Sequence, residues 1–130
     1  MRRLFVVVLC LAVLALPGAV LGAPPFRATL VASTHAPKVS SNWFYVVSVT
    51  DRHGKLIKAT ITTRILDPLG GVHPVEFGCC KKNVVNHPFT GVFGDFVTFP
   101  LAAKGFKVSF QVVIHALGGT QVLKYWVKPT

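Results

Sequence analysis

The residues with the richest chemistry lie between two His-Pro pairs, in the segment HPVEFGCCKKNVVNHP at positions 73–88. His73, Cys79, Cys80 and His87 could together bind a soft metal ion, and the two thiols alone could form or exchange a disulfide. The adjacent cysteines lack the C-x-x-C spacing of common zinc sites. The apolar run before the cysteines and the Lys-Lys-Asn stretch after them predict a β-hairpin.

Such a hairpin would place the two histidines across from each other at its base and the two cysteines at its tip. Seven residues of strand separate base and tip, which corresponds to about 20 Å. One tetrahedral site holding all four side chains is therefore not expected. We predict no bound metal and no cofactor, and keep His73, Cys79, Cys80 and His87 as the candidate metal ligands.

The acidic residues do not suggest an active site. The chain has four acids and lacks the nucleophile elbow, the P-loop, the HExxH motif and the dinucleotide fingerprint. Asp51 and Asp67 lie at turns, where Asp commonly binds its own backbone. Asp95 is expected to cap the start of a strand, and Glu76 to pair with one of the two neighbouring lysines. His35, His53 and His115 are expected on the surface. These features predict a protein that is not an enzyme.

The first 22 residues have the pattern of a secretory signal peptide. Arg2 and Arg3 precede an apolar run at residues 4–16, and Pro17 and Gly18 then interrupt it. We expect a helical signal peptide at residues 1–22, cleaved after Gly22, and one secreted domain at residues 23–130. The alternative is an uncleaved membrane anchor, because residues 4–21 are just long enough to span a bilayer.

Removal of this segment would also remove Cys10, which leaves Cys79 and Cys80 as the last two cysteines. In an oxidising compartment such residues usually form disulfides. A bond between the two neighbours, a bond to a second chain and two reduced thiols all remain open. Gly78 before them and two lysines after them predict an exposed position.

The rest of the chain alternates apolar and polar residues with a period of two. The clearest runs are WFYVVSVT at 43–50, LIKATITTRIL at 56–66 and GFKVSFQVVIHA at 105–116. In the last run we expect Phe106 and Phe110 to face the core and Gln111 to face solvent. Turn residues separate seven or eight such strands, and LGGT at 117–120 joins the last two. The pattern predicts an all-β fold, a two-sheet antiparallel Ig-like sandwich.

The chain is strongly basic, with a formal net charge of +10 that falls to +8 without Arg2 and Arg3. Such a protein attracts polyanions, among them acidic cell-wall polymers. The basic residues are scattered and no RNA-binding aromatic motif occurs, so nucleic acid is not the expected partner. Another surface protein and a disulfide-linked dimer are further possible partners.

Three stretches carry a family resemblance: WFYVVSVTDRHGKLIKATITTRI, GVFGDFVTFP and GFKVSFQVVIHA. They resemble small secreted Ig-like β-sandwich proteins of bacteria, similar to YtkA-like and CopC-like extracytoplasmic domains and related proteins of Gram-positive bacteria. Copper-binding members of such families use histidines near the mature N-terminus or Met-rich loops. The expected mature start here is APPF and Met1 is the sole methionine. The resemblance therefore does not imply that this protein binds copper.

The sequence therefore predicts a non-enzymatic secreted or cell-surface Ig-like module, with a binding or structural role, that contacts acidic polymers through its basic surface. The alternative is an extracytoplasmic metal- or thiol-handling protein that uses the Cys79-Cys80 hairpin.

Overall fold

A computed structural model describes residues 23–79 and 85–130 of the chain. Within these residues lie eight β-strands and a short 3-10 turn at Leu101–Ala103. The strands are β1 Phe26–Ala32, β2 Asn42–Asp51, β3 Lys58–Leu66, β4 Val72–Pro74, β5 His87–Thr90, β6 Val92–Thr98, β7 Val108–Ala116 and β8 Gly119–Val127. The predicted signal peptide at residues 1–22 lies outside the described residues. None of the described helices is long and apolar enough to cross a membrane.

The strands form two antiparallel sheets. The first has three strands in the order β1-β2-β6. The second has five: β3 pairs with β7, β7 pairs with β8, and both β4 and β5 pair with β3. The prediction of an all-β, two-sheet antiparallel sandwich of seven or eight strands is confirmed.

The core forms where the inward residues of the two sheets meet. Alternate side chains of β2 and β7 are buried, as the period of two predicts, because successive side chains of a strand point to opposite faces. Trp43 packs edge-on against Phe110, with 5.1 Å between the ring centroids. The Trp43 indole N–H donates to the carbonyl oxygen of Thr34 at 2.7 Å, so its one polar atom has a partner.

Two details of the predicted β7 strand are wrong. Phe106 was expected inward but is 58% exposed, because the strand begins only at Val108. Gly105, in the left-handed region with φ of 82°, precedes Phe106 and turns the chain away from the strand direction. Gln111 was expected in solvent but is 5% exposed, because Arg64 covers it and donates from Nε to its Oε1 at 2.9 Å.

The turn between β7 and β8 agrees with the sequence. Ala116 pairs with Gly119, so Leu117 and Gly118 form a two-residue loop. Both have positive φ, at 48° and 73°, which matches the right-handed twist of the flanking strands.

Residues 35–39 pair with the chain just after the C-terminal end of β8. Lys128 N–H donates to the His35 carbonyl at 2.7 Å, and Thr130 N–H to the Pro37 carbonyl at 2.9 Å. Val39 N–H donates back to Thr130 at 3.0 Å. The His35 ring also stacks on Tyr125 and Trp126, with centroid distances of 4.2 and 4.0 Å.

The outer face of the three-stranded sheet is apolar. Phe44 is 56% exposed and lies 5.8 Å from the Phe96 ring, centroid to centroid. Val46 is also exposed, beside Gly94 on the neighbouring strand. Arg27 is the basic residue that this face carries on β1, since its neighbours Phe26 and Ala28 point inward.

Candidate functional site

The predicted hairpin of residues 73–88 is wrong in its strand pairing. Strands β4 and β5 do not pair with each other; both pair with the same edge of β3. His73 lies opposite Ile65 and His87 opposite Ile61, so the two histidines sit four positions apart along β3. That separation is about 13 Å along the strand. The histidines are therefore not across from each other.

His73 has a different partner, which the sequence analysis missed. Its Nε2 lies 2.7 Å from Asp67 Oδ2, at the end of the turn between β3 and β4. The Asp67 Oδ1 accepts the N–H groups of Leu69 and Gly71 at 2.9 and 2.8 Å, as expected for an Asp at a turn. The hydrogen bond with His73 and those from the backbone lower the pKa of the Asp67 carboxyl, so it stays ionised near neutral pH.

His87 is half-buried and packs against aromatic rings. Its ring centroid lies 5.3 Å from Phe77 and 5.5 Å from Phe93, both edge-on. Phe77 is fully buried. These contacts make His87 part of the packing between the sheets, near β5 and β6.

Cys79 is exposed in a turn and takes part in a disulfide bond. Its bonded partner is not among the described residues. The expectations for Cys80, Lys81 and Lys82, and the pairing of Glu76 with a lysine, also lie outside the described residues. Exposure of Cys79 agrees with the prediction; a disulfide-linked dimer stays a prediction.

Within residues 23–79 and 85–130, no three His, Cys, Asp or Glu side chains come close enough to hold a metal ion. Of the candidate ligands, His73 bonds Asp67, His87 packs on phenylalanines and Cys79 is in a disulfide. The described part of the chain therefore does not assemble the four-ligand site.

Asp95 anchors the turn that carries Cys79. It was expected to cap a strand start, but it lies in the middle of β6 and is 8% exposed. Its two carboxylate oxygens accept the N–H groups of Gly78 and Cys79 at 2.9 and 3.0 Å. A Cβ at position 78 would collide with the Phe96 ring, so any larger residue there requires that ring to move. The feature of the sequence that indicates this role is an acid at an inward position of the strand, between Phe93 and Val97.

Tyr45 lies in the same part of the interior. Burial and the nearby Asp95 carboxylate raise the pKa of the Tyr45 hydroxyl well above its usual value. The phenol therefore stays protonated at any physiological pH. Because Tyr45 is 1% exposed, it supports the fold and does not reach an external substrate.

The outer face of the five-stranded sheet carries aligned basic residues. Arg64 lies opposite Gln111, and Gln111 lies opposite Lys124, so the three form one row across β3, β7 and β8. Trp126, next to this row on β8, is 47% exposed, and Lys107 Nζ lies 4.9 Å from the centre of its ring. We call these five residues the basic face.

No acid occupies an outward position of β3, β7 or β8, all of which are described. The remaining outward residues there are Lys58 at the start of β3, the histidine His115, and seven residues without an ionisable side chain: Thr60, Thr62, Leu66, Ser109, Val113, Thr120 and Val122. The four acids lie elsewhere: Asp51 and Asp67 at turns, Glu76 after β4, and Asp95 in the interior. The basic residues look scattered along the sequence, because their alignment depends on the register of the strands.

Comparison with known proteins gives no family. No family model matches the chain, and no curated protein matches it. A solved structure of a DUF4466 family protein from Parabacteroides merdae aligns with 16% identity and a TM-score of 0.46. The alignment covers 84% of this chain and 45% of that one, so this chain spans less than half the length of that protein. The assignment to the two-sheet antiparallel β-sandwiches rests on the strand pairing itself. The resemblance to YtkA-like and CopC-like domains gains no support from these comparisons.

Proposed function

We propose that the protein is a non-enzymatic, secreted or cell-surface binding module whose basic face contacts an acidic polymer. The observation that carries this proposal is the row of Arg64, Gln111 and Lys124 beside exposed Trp126, on a sheet face without acids. The signal-peptide pattern at residues 1–22 supports the extracytoplasmic setting.

The row suits a linear polyanion because it crosses three strands in a straight line. Neighbouring strands lie about 4.8 Å apart, so Arg64 and Lys124 are separated by about 10 Å at the backbone. Gln111 lies between them and its oxygen accepts from Arg64 Nε, which orients the guanidinium on the face. A pre-oriented guanidinium binds sulfate, phosphate or carboxylate with less loss of side-chain entropy.

Trp126 adds a flat apolar surface beside the charges. An exposed indole offers contact area at low entropic cost, and the Lys107 ammonium above its ring brings a positive charge to the same place. Alternating apolar and anionic groups, as along an acidic polysaccharide, would find both kinds of partner there.

The test compares polymers that share one backbone. Dextran sulfate and uncharged dextran are immobilised, and binding of the full chain is measured against salt concentration. We expect binding to dextran sulfate only. Lys124→Gln should weaken it about two- to fivefold, and Arg27→Gln, on the opposite side of the sandwich, should change it less. Trp126→Ala should weaken binding without changing its salt dependence.

Equal losses from Lys124→Gln and Arg27→Gln would show that binding follows net charge and not the basic face. Circular dichroism and thermal unfolding of each variant provide the folding control, because all three side chains are exposed.

The alternative is an extracytoplasmic protein that handles metal or thiols through Cys79 and Cys80. The exposed disulfide of Cys79 supports its thiol-exchange form and not metal binding, which needs a free thiolate. Non-reducing gels distinguish its forms. A dimer band that disappears on reduction and in Cys80→Ser would make this segment an assembly site, whereas monomer alone would exclude the disulfide-linked dimer.

A further inference from the structure

A groove of about 930 Å³ opens where the two sheets end side by side, between β6 of the three-stranded sheet and β4 of the five-stranded sheet. Its lining is largely aromatic and aliphatic. Phe77 and Phe99 are fully buried, Phe96 is half-buried, and Phe106 is 58% exposed. The volume and the apolar lining fall within the range of binding sites for small organic molecules.

The charges of the groove are opposite to those of the whole protein. Two of the four acids of the chain, Asp67 and Glu76, line the groove. None of the described lysines or arginines does. In a protein with a formal net charge of +10, this local pair of acids favours a cationic ligand over the anionic ligands that the basic face attracts.

The two acids have different roles. Asp67 is ionised and already accepts hydrogen bonds from the backbone of its turn and from His73, so it supplies a fixed negative field. Glu76 forms no hydrogen bond or ion pair with any described residue. Its carboxylate is therefore available to accept a hydrogen bond from a ligand.

We infer that this groove binds a small amphiphile: an apolar chain or ring system that carries one cationic amine. The apolar part lies against Phe96 and Phe106, and the amine lies near Glu76 within the field of Asp67. The ligand class follows from charge complementarity: Asp67 and Glu76 line the groove, and its described lining holds no lysine or arginine, with His73 already paired to Asp67. This site is separate from the basic face and takes the opposite charge, so it does not depend on the function proposed above.

The experiment uses the full chain and a neutral apolar reporter, N-phenyl-1-naphthylamine, whose fluorescence rises in an apolar site. Decylammonium and decyl sulfate, both below their micelle concentrations, then compete with it. The two competitors have the same chain length and differ in the sign of the charge. We expect the cation to displace the reporter at about fivefold lower concentration, although the protein as a whole is basic.

Matched variants locate the site. Phe106→Ala should lower the affinity for the reporter, whereas Leu117→Ala, equally exposed in the turn between β7 and β8 and outside the groove, should not. Glu76→Gln should reduce the preference for the cation, whereas Asp51→Asn, an acid outside the groove, should leave it unchanged. Thermal unfolding shows that each variant is folded.

Equal or better displacement by decyl sulfate would overturn the proposal, as would reporter binding that Phe106→Ala does not weaken. Absence of reporter binding would also overturn it.

Discussion

The basic face and the groove lie in one small domain and present opposite charges. Four of the five residues of the basic face lie on three paired strands, so its shape follows largely from strand register. The groove is lined largely by irregular segments: the turn at Asp67, the residues after β4, and the stretch from Phe99 to Phe106. The acids of the groove therefore lie in turns and loops, where the local charge is opposite in sign to the net charge of the protein. The net charge of +10 agrees with the ligand proposed for the basic face and is opposite to what the ligand proposed for the groove requires.

The largest effect is expected from the core strand that supports both surfaces. Phe110→Ala should destabilise the protein by about 3–5 kcal/mol, because the ring is fully buried against Trp43. Gln111→Ala, the next residue, should cost about 1 kcal/mol through loss of the Arg64 hydrogen bond. Urea unfolding measures both, and equal effects would contradict the register of β7.

The second prediction concerns a substitution that should change the groove and leave the basic face intact. Asp95→Ala removes the acceptor of two N–H groups at Gly78 and Cys79, at a cost of about 2–4 kcal/mol. Gly78 lines the groove, whereas the basic face is on the outer side of the other sheet. In the folded variant we expect weaker binding of the apolar reporter and unchanged binding of dextran sulfate. Loss of both in parallel would mean that the surfaces are coupled.

Salt should affect binding at the basic face and not binding in the groove. Exposed charges are screened beyond about 8 Å at physiological ionic strength and beyond about 3 Å in molar salt. Raising sodium chloride to about 1 M should therefore abolish binding of dextran sulfate and leave binding of the neutral reporter intact. Binding of dextran sulfate that survives molar salt would indicate a shaped polar pocket in place of the open basic face.

The smallest effect concerns pH. Backbone hydrogen bonds at Lys55 and His53 lower the pKa of Asp51, and His73 and the turn backbone lower that of Asp67. A carboxyl with a lowered folded pKa contributes stability above its unfolded value of 3.8, and that contribution is lost as pH falls through the folded value. Asp67→Asn should therefore destabilise the protein at pH 6, with a difference that shrinks toward pH 2. A difference in thermal midpoint independent of pH would contradict this.

The regular strands could be predicted because their signal is local. In β2, every second residue from Trp43 to Val49 is apolar, and burial follows directly from the pleat. Phe106 continued this pattern and misled the prediction, because the turn at Gly105 is not visible in the alternation.

The candidate site could not be predicted in the same way, since it depends on contacts distant in sequence. Two short strands flanking a turn signal favour a hairpin, yet β4 and β5 both pair with the free edge of β3. Asp95 bonds residues 16 and 17 positions away, and no local pattern indicates that distance. The row of Arg64, Gln111 and Lys124 likewise requires the register of three strands.

The contacts between residues 35–39 and the end of β8 have a consequence for self-association. An uncovered strand edge offers unpaired N–H and C=O groups to other molecules. Here the backbone N–H groups of Lys128 and Thr130 donate to residues 35–39 and are therefore not free to pair with another molecule. The stacked His35 ring lies over the same edge. A chain truncated after Val127 would lose these bonds and expose a β-branched, aromatic edge to identical copies. Edge-to-edge growth of sheets, and with it fibrillar aggregation, would then compete with folding to the monomer.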